Sequence, residues 1–529
     1  MPMTDVIDAD AAPARTVDHA AHPARAAALD GLAALLCILP LLLTAHLPLT
    51  DLPNHLARQY ILRDWASSPT LQAFYAIHWA LVPNLALEIF VLAVRRVMSI
   101  DLAIRTFCIV TMLLLFGGTR LVNRQLGGAQ ARAYRFAPLL CYGGPFQYGF
   151  LSYCFGIGLA LLLFGFYLRI RERGWGWLVL LMPLSFALLL CHLAAFGLFA
   201  IAVGACELTH GFVAAGGLTR RLPAALVRHQ VGPLLCLVPV FLVFLWLSPT
   251  ADHSTAASII RFSTLHQKAR SFASITLFTS PKLEVGLLAL ALAGLAAAVL
   301  SRTMRLHPVG AAATATMLLV WLALPNIALG GAYIDYRVPW AVAFFLLASV
   351  IPGRRHDRLA VPFAGCFAAL AVARIALIAG LWLSWEPTLA ALDTALSRLP
   401  VGSRLMVVEG RPPSGEVFRQ PDLEHVAAYA VARRQAFMPG MFASLSGQIL
   451  YFQPHYLDLA QQAAFEVAIP ASLERVLPDY DYILDLLPDL ARIGPDVPVV
   501  CEASGPHFML LKVGGEGAAA LGDNVPCPG

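Results

Sequence analysis

The chain has 529 residues, of which 59% are hydrophobic and only 13% charged, with a formal net charge of +5 and a mean hydropathy of +0.70. Soluble domains carry about 25% charge. This composition therefore excludes an ordinary soluble protein and implies an α-helical polytopic membrane protein, long enough for many spans and a small domain besides; the positive excess gives no reason to invoke nucleic acid, because its placement follows membrane topology.

Residues 1–26 are rich in Ala, Asp, Arg and Pro and read as a disordered cytoplasmic arm. The apolar segment that follows starts too late and runs too long for a cleaved signal peptide, so it reads as a first span. Stretches able to cross the hydrocarbon core, which takes roughly 20 residues, lie near 28–49, 102–119, 134–151, 153–169, 176–191, 192–209, 231–248, 284–301, 310–328, 336–352 and 359–384, about eleven spans. The pair over 134–169 is short, and "CYGGPFQYGF" interrupts it with Gly and Pro. The segment "LVPNLALEIFVLAVRRV" (82–98) is ambiguous by hydropathy, and arginine placement decides it. With eleven spans and the N-terminus inside, one set of short loops holds Arg120, Arg124, Arg132 and Arg135, then Arg169, Arg171 and Arg173. The same side holds Arg220, Arg221 and Arg228, then Arg302 and Arg305, then Arg354, Arg355 and Arg358. The other set holds almost none, Arg337 being the exception. A spanning 82–98 would break this pattern in every later loop, so an interfacial helix on the outer face is expected.

The transmembrane domain is thus expected over 27–384. Its outer face gathers the loop 50–101, the turn with Gln147, Tyr148, Ser152 and Tyr153, and His192 between two spans. It also gathers the long loop 249–283, with His253, Arg261, His266, Lys268 and Arg270, and "GGAYIDYRVPW", with Asp335 and Arg337. Residues 385–529 fall on the same side. There "SRLMVVEG", "YDYILDLL", "VPVVCEA" and "HFMLLKV" read as strands and "DLEHVAAYAVARRQ" (422–435) as an amphipathic helix, implying a small periplasmic α/β domain. If that region is outside, Cys501 and Cys527 can pair. The other eight cysteines lie in or beside apolar spans, show no metal-ligand spacing, and read as small core residues.

The stretch "TDLPNHLARQ" (50–59) places Asp51, His55 and Arg58 directly after the first span. Asp51 can take a proton from an acceptor hydroxyl or hold a divalent cation; equally, it can cap the helix that starts there. His55 and Arg58 share one helix face. Arg58 suits a phosphate or a snorkelling role at the interface. Glu88 is a second acid in reserve. Arg337 can neutralise a leaving phosphate or pair with Asp335. Arg374 lies well inside the last span, where an arginine is costly and marks function unless it snorkels outward. His266 and Arg270 can order over a lipid phosphate or stay solvated, and His192, at a tight turn, reads as structural.

A span followed at once by Asp, a Pro and a nearby His, then by an outer loop of interfacial helices, resembles the GT-C superfamily of membrane glycosyltransferases. "VPNLALEIFVLAVRRVMSIDLAIRTF" (82–107) resembles the Pro-x-Leu helix of bacterial aminoarabinose-transferase-like members, which leads into a Gly-x-Ser-x-x-Ala-x-Arg entry to the second span. Here that entry runs from Met98 to Arg105, and Ala103 and Arg105 match best. The likeness rests on motif over about 28–110 and on architecture alone beyond it. It implies an enzyme of the bacterial inner membrane that takes a sugar from a polyprenyl-phosphate carrier and passes it to a glycan, lipid or protein acceptor on the periplasmic face. The family's catalytic acid falls on Asp51, with His55 as the next ionisable group. Arg58, Arg337, Arg374, Asp335, His266 and Arg270 are the candidate substrate ligands. Many members carry two neighbouring acids where this chain has only Asp51, so a bound divalent cation is left open. A transporter of lipid-linked glycan, or a non-catalytic partner in an envelope-polysaccharide complex, are the alternative readings.

Overall fold

The computed structural model describes residues 23–171, 173, 179–247, 260–276, 281–328, 331–353, 360–409, 423–444, 448–468, 477–487, 493, 497–515, 518–520 and 527. Residues 1–22 of the expected arm, His253, and Arg354, Arg355 and Arg358 lie outside them. The first helix, α1 (Pro23–Leu43), starts inside that arm rather than at 27.

The outer loop is structured. It holds α2 (Leu52–Asp64), α3 (Pro69–Phe74), β1 (Tyr75–Ile77) and α4 (Ala86–Val94). At nine residues α4 is about 14 Å long, too short to cross, in line with the arginine count. The membrane helices then follow: α5 (Ile100–Gly127), α6 (Leu151–Ile170), α7 (Leu181–Cys191), α8 (Leu193–Ala215), α9 (Leu222–Leu247), and, after the short α10 (Leu265–Ala273), α11 (Pro281–Leu300). A strand β2 (Met304–Leu306) leads to α12 (Pro308–Ala323) and α13 (Ile334–Ser349), and β3 (Val350–Pro352) leads to α14 (Ala360–Ser397). Among the described residues, seven helices are long and apolar enough to cross a membrane, and α7 and α12 are shorter apolar helices. Large apolar side chains such as Leu235, Trp246 and Leu319 stand exposed on these helices, as lipid-facing positions do.

The expected span 134–151 is a departure. It is broken into short turns at Ala133–Phe136, Pro138–Cys141 and Gly144–Gln147. The break has a packing cause. A Cβ on Gly143 would stand 2.3 Å from the Trp340 ring, and one on Gly144 would stand 2.2 Å from the Tyr336 hydroxyl. The backbone here is pressed against α13, and Gly144 N–H donates to Ser274 O at 2.7 Å instead of continuing a helix. Close approach also governs α5 against α6, where Gly118 and Gly158 each face backbone of the other helix, the small-residue packing that lets membrane helices touch.

Arginines cluster at the end of α1 remote from Asp51. Asp30 binds Arg135 at 2.7 Å and Arg120 at 3.4 Å, and β2 pairs with β3 in the loops that carry Arg302 and Arg305. Among the described residues, the arginines of the 120–135 and 302–305 loops thus lie at one end of the bundle.

The C-terminal region forms a five-stranded sheet in the order β4-β6-β8-β7-β9, from β4 (Leu405–Glu409), β6 (Tyr482–Leu486), β7 (Pro498–Gly505), β8 (Phe508–Val513) and β9 (Ala519–Ala520). Between β4 and β6 run α15 (Ala428–Arg434), β5 (Leu450–Phe452) and α16 (Pro454–Ala468). Strands β4 and β6 are parallel and the other neighbours antiparallel. Cys501 and Cys527 are joined in a disulfide. The region is tied to the outer loop by β1, which pairs antiparallel with β5 (Tyr75 opposite Phe452), and by α15 packed on α2. One buried apolar cluster runs from α1 and α5 through Tyr75 and Phe437 into the sheet.

Candidate functional site

Asp51 sits at the N-cap position of α2, yet its side chain makes no cap hydrogen bond. Pro53 in the first turn helps set the helix start without it. The carboxylate instead faces His425, with Oδ1 3.5 Å from Nε2, and both side chains are largely but not fully buried (13% and 14% accessible). His425 comes from the segment that leads into α15, so the two halves of the pair belong to opposite ends of the chain. Its ring packs edge-on against Phe442 at 5.0 Å, and His55 packs on the same Phe442 at 6.1 Å. Asn54 fastens the two regions together: its side chain donates to Gly440 O and accepts from Phe442 N–H, each at 3.1 Å.

The turn at Gly149 supports Asp51 from the membrane side. Asp51 N–H donates to Tyr148 O at 2.9 Å. Gly149 has φ +86°, and a Cβ there would stand 2.9 Å from Asp51 Cβ, so both conformation and space require glycine. Replacing Gly149 with Ala is expected to displace Asp51 and cost about 1–3 kcal/mol of stability. A thermal-melt comparison together with an activity assay checks it; an unchanged melt and unchanged activity would show the turn to be tolerant.

His55 and Arg58 do not open to solvent as ligands would. Both are buried. Arg58 forms an ion pair with Glu88 and donates to Gln448 Oε1 and, at 3.1 Å, to His55 Nδ1. His55 therefore carries its proton on Nε2, which donates to Gly149 O at 3.1 Å. Arg58 does not snorkel here: its buried guanidinium is paired where it lies. Glu88 is consumed in the same pair and is not a second acid beside Asp51.

Burial, and then the neighbouring Arg58 charge, depress the His55 pKa from 6.5 to about 3. The stability this site contributes is complete above about 6.5 and is lost as pH falls from there toward 3, because the unfolded chain takes the proton and the folded one does not. The ring is thus expected to stay neutral from pH 8 to about pH 5. NMR of labelled histidine checks this; a His55 signal that shifts with a midpoint between about 6 and 7 would contradict it.

On the other side of the Gly149 turn, Phe150 lies under Arg337, whose guanidinium is 3.9 Å from the ring centre. Arg337 Nη1 is 3.2 Å from His192 Nε2, and Arg337 is close enough to Asp51 for their charges to interact. Its Nε–H is buried with no hydrogen-bond partner among the described residues. Tyr148, Tyr333 and Tyr336 surround this corner with ring centres 5.4–6.1 Å apart. The structure therefore brings Asp51 and Arg337 together, as the outer-face reading expects.

It separates Asp335 from Arg337, however. Asp335 pairs with Lys268 at 2.9 Å and accepts from Asn326 at 2.9 Å. Residues 335 and 337 are two helix positions apart and so point to different faces, which is why nearness in sequence misleads. Lys268 also donates to the carbonyls of Trp321 and Leu324, so this pair pins α10 to α12. His266 and Arg270 are exposed on α10, and Arg270 lies near enough to Tyr336 for its charge to be felt there.

Arg374 is 1% accessible and does not snorkel. Nε donates to Glu284 Oε2 at 3.2 Å, and Nη2 to the carbonyls of Tyr142 and Thr276 at 2.8 Å. Those carbonyls are available because the chain leaves helical geometry at Tyr142 and at 274–276. Arg374 also lines an apolar cavity of about 180 Å³, bounded by residues such as Leu140, Ile275, Leu288, Val342 and Phe367.

Among the described residues, the metal-capable grouping of three or more side chains is Cys206, Glu207 and His210, and Glu207 there is bound to Arg171 at 2.7 Å. A divalent cation at Asp51 would have to draw most of its remaining ligands from substrate or water. Sequence reasoning did not find His425: a lone histidine in an amphipathic segment carries no signal until the fold brings it to Asp51.

No family model matches the chain, and no curated protein matches it. Among solved structures it is similar to a crystal structure of ArnT from Cupriavidus metallidurans bound to undecaprenyl phosphate, with a TM-score of 0.49 and 12% identity over 94% of this chain and 100% of that one.

Proposed function

We propose that this chain is a GT-C-like glycosyltransferase that moves a sugar from a polyprenyl-phosphate carrier to an envelope acceptor at the periplasmic face of a bacterial inner membrane. The observation that carries the reading is Asp51: a carboxylate at a cap position that makes no cap bond, faces His425, and shares its corner with the half-buried Arg337. The sequence likeness over 28–110 supports it independently. In this scheme Asp51 takes the acceptor hydroxyl proton as that oxygen attacks the anomeric carbon. The bond from that carbon to the phosphate oxygen breaks, its electrons staying on the phosphate. Arg337 stabilises the charge that builds there, its unpartnered Nε–H offering a donor. His425 orients Asp51 and takes the proton onward.

The apolar cavity lined by Leu140, Ile275 and Pro339 suits the prenyl chain. Arg374, already neutralised by Glu284, holds the cavity's upper wall by fixing the Tyr142 and Thr276 carbonyls. His55 and Arg58 support Asp51 from behind, and Lys268 with Asp335 positions α10, whose Arg270 can meet the donor from the loop side. The arginine-rich end faces the cytoplasm and residues 385–529 the periplasm, where a Cys501–Cys527 disulfide is at home.

The test is native mass spectrometry of the protein in lipid nanodiscs together with a transfer assay. Wild type is expected to retain a polyprenyl phosphate. Ala343→Phe, which fills the cavity, is expected to lower retention about tenfold, a ~1.4 kcal/mol overpacking effect. A lipid-free wild type, with envelope glycans unchanged on deletion, would favour the non-catalytic partner instead.

A further inference from the structure

The chain between the end of α1 and Asp51 is anchored by His46. Its Nδ1 lies 2.8 Å from Glu386 Oε1 and its Nε2 3.3 Å from Asp393 Oδ2, while its backbone N–H donates to Glu386 Oε2 at 3.0 Å. Both acids stand on the part of α14 that continues beyond its apolar stretch. A neutral imidazole has one N–H, so the ring can donate to both carboxylates only when doubly protonated. Asp393 also accepts from Arg433 Nε at 3.1 Å, and Arg433 Nη2 donates to Asp101 at 2.8 Å. Tyr60 O–H donates to Asp101 at 2.7 Å. The other groups facing this joint are Tyr429, whose ring is edge-on to His46 at 6.2 Å, and Arg105, which donates to the Ala45 carbonyl. Three carboxylates, one guanidinium and one imidazole thus close a ring through the α1–α2 joint, α2, α5, α14 and α15.

The position of this ring matters. His46 stands five residues before Asp51, and Arg433 eight residues after His425. Each anchors one half of the pair at the candidate site. We propose that the ring is a pH-responsive clasp: doubly protonated His46 holds the two halves of the Asp51–His425 pair together, and raising the pH releases them. His46 and Arg433 are positioning residues, acting through the backbone that carries Asp51 and His425. The significance of the clasp for chemistry rests on the function proposed above; its opening and closing do not.

The Asp393 hydrogen bond, helped by Glu386 and opposed by burial, raises the His46 pKa above its ordinary 6.5. The sign follows: the clasp is complete below about 6.5 and is lost as pH rises through the raised value.

Hydrogen exchange of the full chain in nanodiscs, corrected for the intrinsic rate, tests this at about pH 6 and about pH 8.5. Amides of 47–51 and 428–434 are expected to open about tenfold more at the higher pH, the scale of one lost charge-assisted hydrogen bond. His46→Arg, a permanent cation, is expected to stay closed at both, and His46→Gln to stay open at both. Should either variant fail to insert, Glu386→Gln serves: removing one acid moves the transition to lower pH. A wild type that exchanges alike at both pH values, or a response that persists in His46→Arg, would overturn the clasp. Asp51→Asn leaves every clasp group intact and is expected to keep the pH response. Failure of the clasp is thereby distinguishable from failure of the catalytic reading.

Discussion

On the function proposed above, Asp51→Asn is expected to lower sugar transfer by about 10²–10⁴-fold, the range that general-base catalysis supplies, and to leave the protein folded and inserted. Asparagine keeps the size of the side chain and suits an N-cap position. It keeps the backbone N–H that donates to Tyr148 O. It loses the acceptor for a proton and the charge that faces His425 and Arg337. A structural role for Asp51 predicts the reverse, because a residue that makes no cap bond would be replaced by Asn at little cost in activity. The measurement is transfer under single-turnover conditions, with a melting curve on the same preparation. His425→Ala is expected to give a smaller loss, since in the proposed scheme it orients the base and does not replace it. Transfer near the wild-type rate in Asp51→Asn would remove Asp51 from the mechanism.

Glu88→Ala is expected to destabilise the protein by about 3–5 kcal/mol, the scale for removing one partner of a buried ion pair. The two side chains are 3% and 2% accessible, so solvent does little to screen what is left. Arg58 would keep its bonds to His55 and Gln448 but would hold an uncompensated charge in the core. The asymmetry of the effect makes it diagnostic. Replacing both members together, Arg58→Met with Glu88→Leu, is expected to recover much of the loss, since apolar pairs of similar volume pack without desolvating charge. A double-mutant cycle read by melting in detergent separates the pair from its surroundings. If Glu88→Ala melts like wild type, Arg58 has found another partner and does not depend on Glu88.

Much of the membrane architecture is legible in the sequence because one force dominates it. A helix in lipid must be apolar over its length, so hydropathy marks α1, α5, α8, α9, α11 and α14 directly. Arginine asymmetry then distinguishes α4 from a span, although both are apolar. The same count places Asp51 and Arg337 on one face, and the structure brings them to one corner. The strands β4, β6, β7 and β8 follow from alternation and bounding turns. What is not legible depends on contacts between distant segments. The three-residue strands β1 and β5 carry too short a pattern to be read. The partners of Arg58, Asp335 and Arg374 are Glu88, Lys268 and Glu284, and nothing in spacing links them. The break at 134–151 is intermediate: Gly and Pro mark it, but only the Trp340 and Tyr336 rings pressed on the backbone explain it.

The two halves of the candidate site are made at different times. The Asn54–Gly440 hydrogen bond that joins them spans 386 positions. At about 5–20 residues per second of synthesis, the α1–α2 joint is finished roughly 20–80 s before Gly440 leaves the ribosome. During that interval Asp51 has no His425, Asn54 has no Gly440 carbonyl, and the backbone edge of β1 has no β5 beside it. A nascent chain already threaded through the bilayer therefore lacks an assembled site. It gains one only when the last quarter of the protein has been made and has folded back onto the loop that carries Asp51. Chains stalled in synthesis before residue 425 are expected to insert without an assembled site, so the meeting of Asp51 with His425 marks synthesis of the C-terminal region.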